Sequence, residues 1–213
     1  MRDYYEAYWQ RPDTYQKEDP LAGQREQLLW KFCSQAGLTG GKLLDVGAGF
    51  GNLVSAANDR GWEAVGTDIS ATVVERAATL HPECTFTVVP VEARPWQLPM
   101  APFNVVTSFE VIEHLLEPAD LVAGAREVLR PGGYLALSTP YHGLLKNIVL
   151  STVAFDKHFA VEGSHIRFFS DKALRKMLER EGFRLIAISH FGRFTGLWAC
   201  SFVWAMRSEE RTT

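Results

Sequence analysis

The chain has 213 residues, 46% of them apolar, which suits one domain with a sizeable core. Its formal net charge of −3 gives no electrostatic reason to expect a polyanion, so no nucleic-acid partner is expected. Cys33, Cys84 and Cys200 are odd in number and lack metal-ligand or disulfide spacing, which points to a reducing, cytoplasmic setting.

In chain order, the start, Met1-Arg2-Asp3-Tyr4-Tyr5-Glu6, has no apolar signal region. Tyr4, Tyr5, Tyr8, Trp9 and Tyr15 then precede an amphipathic helix at 21–36. Short apolar or β-branched runs follow at 43–46, 63–67, 84–89, 103–109 and 133–138, separated by helical patterns at 51–60, 70–80 and 117–130. This alternation predicts a parallel sheet with helices on both faces, an α/β fold. Pro118 marks a helix start, and Arg130-Pro131-Gly132-Gly133 reads as a stop followed by a turn. Beyond Thr139 lies an irregular or helical insert at 140–168, then a helix at 170–181 with Ser170 as cap and Gly182 past its end. Two strands, 183–190 and 198–206, close the chain, and the nearly uncharged run Gly196 to Met206 is too short to span a bilayer as a helix. There are no repeats and no low-complexity tract.

The segment Lys42-Leu43-Leu44-Asp45-Val46-Gly47-Ala48-Gly49-Phe50-Gly51 reads as strand, glycine turn and helix start, and Asp68 ends the next strand. Glycines at 47, 49 and 51 allow positive φ and let a ligand lie against main chain. An acid at the tip of the second strand suits a ribose, whose two hydroxyls can donate to one carboxylate. The implied ligand is a nucleoside or nucleotide. A dinucleotide fingerprint needs a sixth-position glycine where this chain has Asn52, and phosphate-loop spacing ending in Gly-Lys-Ser/Thr is absent.

With its G-x-G-x-G spacing, this segment resembles motif I of the class I S-adenosylmethionine-dependent methyltransferases, and Asp45, Gly47, Gly49, Gly51 and Asp68 match that pattern. The resemblance runs from Lys42 over nearly all the rest of the chain. It implies a Rossmann-like three-layer sandwich, with a seven-stranded, mostly parallel sheet whose last strand is antiparallel. It further implies that Asp45 and the backbone of Gly47, Ala48, Gly49 and Gly51 meet the methionine end of S-adenosyl-L-methionine, Asp68 the ribose and Ile69 the adenine face. Glu92-Ala93 resembles the family's Asp-Ala pair, which reaches the adenine amino group; Glu in place of Asp departs from the pattern, and a solvated loop acid is the competing reading. Ligands in such sheets sit beyond the carboxyl ends of the strands, which adds Phe109 and its neighbours to the pocket.

Val105 to Leu115 resembles the segment after the fourth strand of the ubiquinone-type O-methyltransferases and their bacterial relatives. Glu110, Glu113 and His114 stand at i, i+3 and i+4, so on a helix they share one face. Two carboxylates and an imidazole can hold a divalent cation such as Mg²⁺, and the resemblance adds His165 as a further ligand. The competing reading, which is favoured, is an ordering hydrogen-bond network in which a neighbouring acid satisfies His114.

Methyl transfer needs a group to take the acceptor's proton, and histidine suits neutral pH. The candidates are His114, His142, His158 and His165; the resemblance places His165 ahead of His142, and plain solvation competes at each loop position. Leu144, Leu145, Ile148, Val149 and Thr152 form an apolar stripe beside Lys146. Core packing is its default reading, with a lid over a greasy acceptor or a membrane contact as the others. The aromatic N-terminus resembles the family's lid, spanning 1–40 of a single 1–213 domain, and Arg25 is read either as a partner for the methionine carboxylate or as a surface charge. The expectation is a methyltransferase acting on a small-molecule acceptor, at oxygen. N-methylation, a non-catalytic cofactor- or partner-binding protein of the same fold, and a nicotinamide dehydrogenase are the alternatives. Acceptor identity and oligomeric state are not legible.

Overall fold

The computed structural model describes residues 2–11, 19–153, 166–192 and 197–209. Its helices are α1 (Arg2–Trp9), α2 (Ala22–Gln35), α3 (Asn52–Asp59), α4 (Ala71–Leu80), α5 (Pro118–Val128), α6 (Leu144–Val153) and α7 (Asp171–Arg180). The strands are β1 (Gly41–Val46), β2 (Trp62–Asp68), β3 (Thr85–Val88), β4 (Phe103–Phe109), β5 (Leu129–Pro140), β6 (Phe183–Phe191) and β7 (Cys200–Arg207). They form one seven-stranded sheet in the order β3-β2-β1-β4-β5-β7-β6. The first five strands pair in parallel, and β7 runs antiparallel to both β5 and β6. The expected α/β architecture is therefore the observed one.

Strand pleating explains why the central strands read as unbroken apolar runs. Successive residues point to opposite faces, and helices cover both. Leu44, Val106, Leu135 and Val203 join α5 and α7, through Leu121, Leu174 and Leu178, in one core. Their neighbours Leu43, Val105, Ala136 and Phe202 join α2 and α3, through Leu29, Cys33 and Val54, in the other. At roughly 25 cal/mol per Å² of apolar surface removed from water, both faces contribute to holding the sheet's carboxyl edge in place.

Two local expectations change. Arg130-Pro131-Gly132-Gly133 does not precede the fifth strand as a turn; β5 begins at Leu129, opposite Phe103, and the register slips before Val105 meets Tyr134. Gly132 takes φ +70 there, so the glycines serve a bulge within the strand. The stripe on α6 does not pack into the core. Leu144, Leu145, Ile148 and Val149 are 79, 54, 53 and 36% exposed, whereas Lys146 is buried and its Nζ donates to the Ala199 carbonyl at 3.3 Å. The Ser170 cap stands as read, its hydroxyl accepting from the Ala173 N–H at 3.3 Å.

Candidate active site

The turn after β1 is fixed by its own backbone. The N–H groups of Gly47 and Ala48 donate to the Thr67 carbonyl at 2.8 and 2.9 Å, binding the turn to the end of β2. Gly47, Gly49 and Gly51 take φ of 79, 54 and 80. A Cβ on Gly47 would run into Val111 Cγ2, and one on Gly51 into the Phe86 ring, so packing as well as φ demands glycine there. Gly47 and Gly49 line the cavity above the sheet; Gly51 caps α3 and packs away from it.

Asp68 ends β2 and is 8% exposed. Its Oδ1 accepts from the Ser70 N–H at 3.1 Å and its Oδ2 from the Gly49 N–H at 3.2 Å. Burial raises its pKa, the N–H donors of Ser70, Gly49 and Ile69 pull it back, and the Glu6 charge adds to the rise. Asp45 is buried on β1, with Oδ1 accepting from the Thr107 hydroxyl at 2.6 Å. Its carboxyl is pushed up to about 6 by burial, against the pull of Thr107; Asp68 pushes further and Arg25 opposes it.

Two adjoining lobes open above these acids. One, about 410 Å³, is lined by Asp68, Ile69, Val91, Glu92, Phe109, Glu110 and His114, under Tyr4, Tyr5, Tyr8 and Trp9 of α1. The other, about 630 Å³, contains Asp45, Ala48, Arg25 and Asn52 and shares Gly47, Gly49 and Phe109 with the first. Glu92 is exposed at the rim, and Ala93 does not line either lobe. Arg25 is no surface charge: it is 5% exposed, pairs with Asp19, and sets Nη1 3.7 Å from Glu110 Oε1. Among the described residues no lysine or arginine lines the first lobe.

Residues 110–114 are not a regular helix. Glu110 takes φ 56, and Ile112–His114 form a single 3₁₀ turn, so the three candidate ligands do not share a helical face. The Glu110 carboxylate accepts from the Ser138 hydroxyl at 2.7 Å besides facing Arg25. Glu113 is fully buried, and neither carboxylate oxygen has a hydrogen-bond partner among the described residues. Burial first, then the Glu110 charge, push its carboxyl up to about 8, against the pull of Arg25. His114 lines the cavity with Nε2 3.9 Å from Glu113 Oε1 and its ring edge-on to Tyr5 at 6.0 Å. Among the described residues no three His, Cys, Asp or Glu side chains converge as a metal-ligand set. Of the two carboxylates, Glu110 is already beside a guanidinium.

The remaining histidines separate. His142 is buried, its Nδ1 3.1 Å from Asn147 Oδ1 and its ring against Phe168, and it does not line either lobe. His158 and His165 lie outside the described residues, as does Tyr15. Sequence reasoning missed Glu6. This α1 carboxylate accepts from Ser70 Oγ at 2.8 Å and from the N–H groups of Ala71 and Thr72 at 2.7 and 3.2 Å. A cap supplied from more than sixty residues away leaves no local pattern to find.

The sequence profile of the methyltransferase domain matches residues 21–188. The chain belongs to that family. Among curated relatives of this methyltransferase, the ubiquinone biosynthesis O-methyltransferase of Idiomarina loihiensis is 32% identical over 162 residues, 72% of this chain and 65% of that protein. The protein of the same name from Psychrobacter arcticus is 37% identical over 113 residues, 50% of this chain and 43% of the relative. The methyltransferase thus spans less than two thirds of either relative's length. The solved magnesium protoporphyrin IX methyltransferase of Synechocystis, with bound S-adenosylhomocysteine, superposes with a TM-score of 0.71 at 20% identity, covering 97% of this chain and 98% of that one. An S-adenosylmethionine-dependent methyltransferase from Clostridium acetobutylicum gives 0.70 at 8% identity, covering 97 and 98%. At these identities the two superpositions establish the fold. No helix among the described residues is long and apolar enough to cross a membrane.

Proposed function

We propose that this methyltransferase transfers the methyl group of S-adenosyl-L-methionine to a hydroxyl oxygen of a small, largely apolar acceptor. The observation that carries this reading is the placement of Asp68, the Gly47–Gly49 backbone and His114 around one cavity. A buried carboxylate at the tip of β2 suits a ribose diol, and a wall to which the described residues bring no lysine or arginine suits a sulfonium cation. Ile69 and Glu92 flank the adenine side; Asp45, Ala48 and the glycine backbone face the methionine end, with Arg25 the basic group of that lobe. The names of the O-methyltransferase relatives support oxygen over nitrogen as the acceptor atom.

The bound cofactor supplies an activated methyl group on a positively charged sulfur. The chain has to align the acceptor, exclude water and take up a proton. Tyr4, Tyr5, Tyr8 and Trp9 close the cavity against solvent. His114 Nε2 takes the hydroxyl proton. Glu113 Oε1 stands 3.9 Å from that nitrogen. Tyr5, its phenol raised well above the usual range by burial, with Tyr4, Glu113 and Asp68 adding, stays protonated and does not serve as the base. The whole chain works as one domain in this reading, in a cytosolic setting that fits its three free cysteines.

Isothermal titration tests the cofactor half. S-adenosylmethionine and its demethylated product should bind, and Asp68→Ala should weaken binding by about 1–3 kcal/mol; tighter binding of NADH than of either would overturn the reading. Product formation from catechols, quinone precursors, sugars and amines then identifies the acceptor, and methylation of amines alone would overturn the oxygen assignment.

A further inference from the structure

Helix α1 supplies most of the aromatic cover of the cavity, yet it has no buried residue of its own. Eight residues are too few for a helix to persist by itself in water. Its placement therefore depends on side-chain attachments. Tyr5 meets the His114 ring edge-on at 6.0 Å and Trp9 meets Phe50 at 5.0 Å, both modest aromatic contacts.

The polar attachment is of another kind. The first turn of α4 carries no acid, and the unpaired N–H groups of a helix start attract an anion. Glu6 fills that place across the chain. Its two oxygens take the Ser70 hydroxyl and the N–H groups of Ala71 and Thr72, all within 3.2 Å. Burial opposes its charge, but these three donors outweigh it and hold the carboxyl down to about 2, so it is ionised at any working pH. Ser70 also gives its N–H to Asp68 Oδ1 at 3.1 Å. One residue thus joins the lid's carboxylate to the acid assigned to the ribose.

We propose that Glu6 is a latch: by capping α4 from the lid, it holds α1 over the cavity and couples closure to the Asp68 turn where the cofactor's ribose is bound. Glu6 is a positioning residue, outside the reacting atoms. The inference rests on the cofactor reading above, since the ligand that profits from closure is the one held by Asp68. Coupling is reciprocal, so a ligand on Asp68 tightens the lid as much as the lid tightens the ligand.

The test compares wild type with Glu6→Ala, Glu6→Gln and Ser70→Ala, measuring dissociation of S-adenosylhomocysteine by stopped-flow displacement and amide hydrogen exchange over residues 3–9. Glu6→Ala should release the product about tenfold faster, the factor that 1.4 kcal/mol sets, and lose exchange protection over 3–9. Glu6→Gln keeps an acceptor oxygen without the charge and should fall between, as should Ser70→Ala. Release from Glu6→Ala at the wild-type rate would overturn the latch. If wild type does not bind the product at all, the cofactor reading fails instead, and exchange over 3–9 in the unliganded chain still decides the latch: equal protection in wild type and Glu6→Ala removes it.

Discussion

Asp45 and Asp68 are both buried, and the Asp68 charge raises the cost of ionising Asp45. Asp45 shows the consequence most clearly. Its pKa rises from 3.8 to about 6, so the folded chain binds this proton more tightly than the unfolded chain. The stability that the neutral acid contributes is complete below pH 3.8 and is lost as pH climbs through 6. Asparagine keeps the shape of the neutral acid, and its carbonyl can still accept from Thr107. Asp45→Asn should therefore be more stable than wild type above pH 6, by ~3 kcal/mol for a shift of this size, and indistinguishable from it at pH 3.5. Urea unfolding at both pH values checks this; a stabilisation that persists at the lower pH would show that packing, not charge, is responsible. The same variant should bind S-adenosylmethionine more weakly, which gives a reason for an ionisable group where a neutral one folds better. Asp45, Gly47, Gly49 and Asp68 were legible because a backbone turn and a strand tip impose local spacing. Glu6 and Thr107 were not, because each meets its partner across the sheet or from another helix.

At the level of elements, β1, β2 and β4 could be read within a residue or two, since both of their faces are buried and the apolar run is continuous. The edge strand β3, with no fully buried residue, is shorter than its apolar pattern suggests. The turn at 110–114 is the instructive departure. Its E-x-x-E-H spacing promises a shared helical face, but positive φ at Glu110 and the 3₁₀ geometry send the two carboxylates to different partners, Ser138 with Arg25 on one side and the buried floor on the other. Of the three, Glu110 and His114 line the cavity, and His114 is the one suited to taking up a proton near neutral pH. His114→Gln, which keeps hydrogen bonding but cannot take a proton, should lower kcat by about 10²–10⁴ with little change in S-adenosylmethionine affinity. Steady-state kinetics alongside titration separate the two, and a parallel loss of cofactor affinity would make His114 a binding residue instead. Activity of wild type should also survive exhaustive chelation, because Glu110 already accepts from Ser138 and faces Arg25.

For the molecule as a whole, two cores on opposite faces of one sheet hold the carboxyl edges of β1, β2 and β4 rigid, while the cover over that edge hangs on α1 and its few attachments. Such a division predicts that a ligand in the cavity stabilises the chain by linkage rather than by remodelling the sheet. Saturation at about a hundred times Kd contributes ~2.7 kcal/mol, and a chain of this length gains about 2–4 °C of midpoint per kcal/mol. S-adenosylhomocysteine should accordingly raise the midpoint by roughly 5–10 °C, and Asp68→Ala should abolish most of the rise at the same ligand concentration. Because no lysine or arginine among the described residues lines the first lobe, inorganic pyrophosphate and NADH should give no comparable shift. Thermal unfolding with each ligand checks the set. A shift with NADH equal to that with the demethylated cofactor would mean that the cavity reads only adenosine, and that the acids and the aromatic cover do not select the sulfonium end.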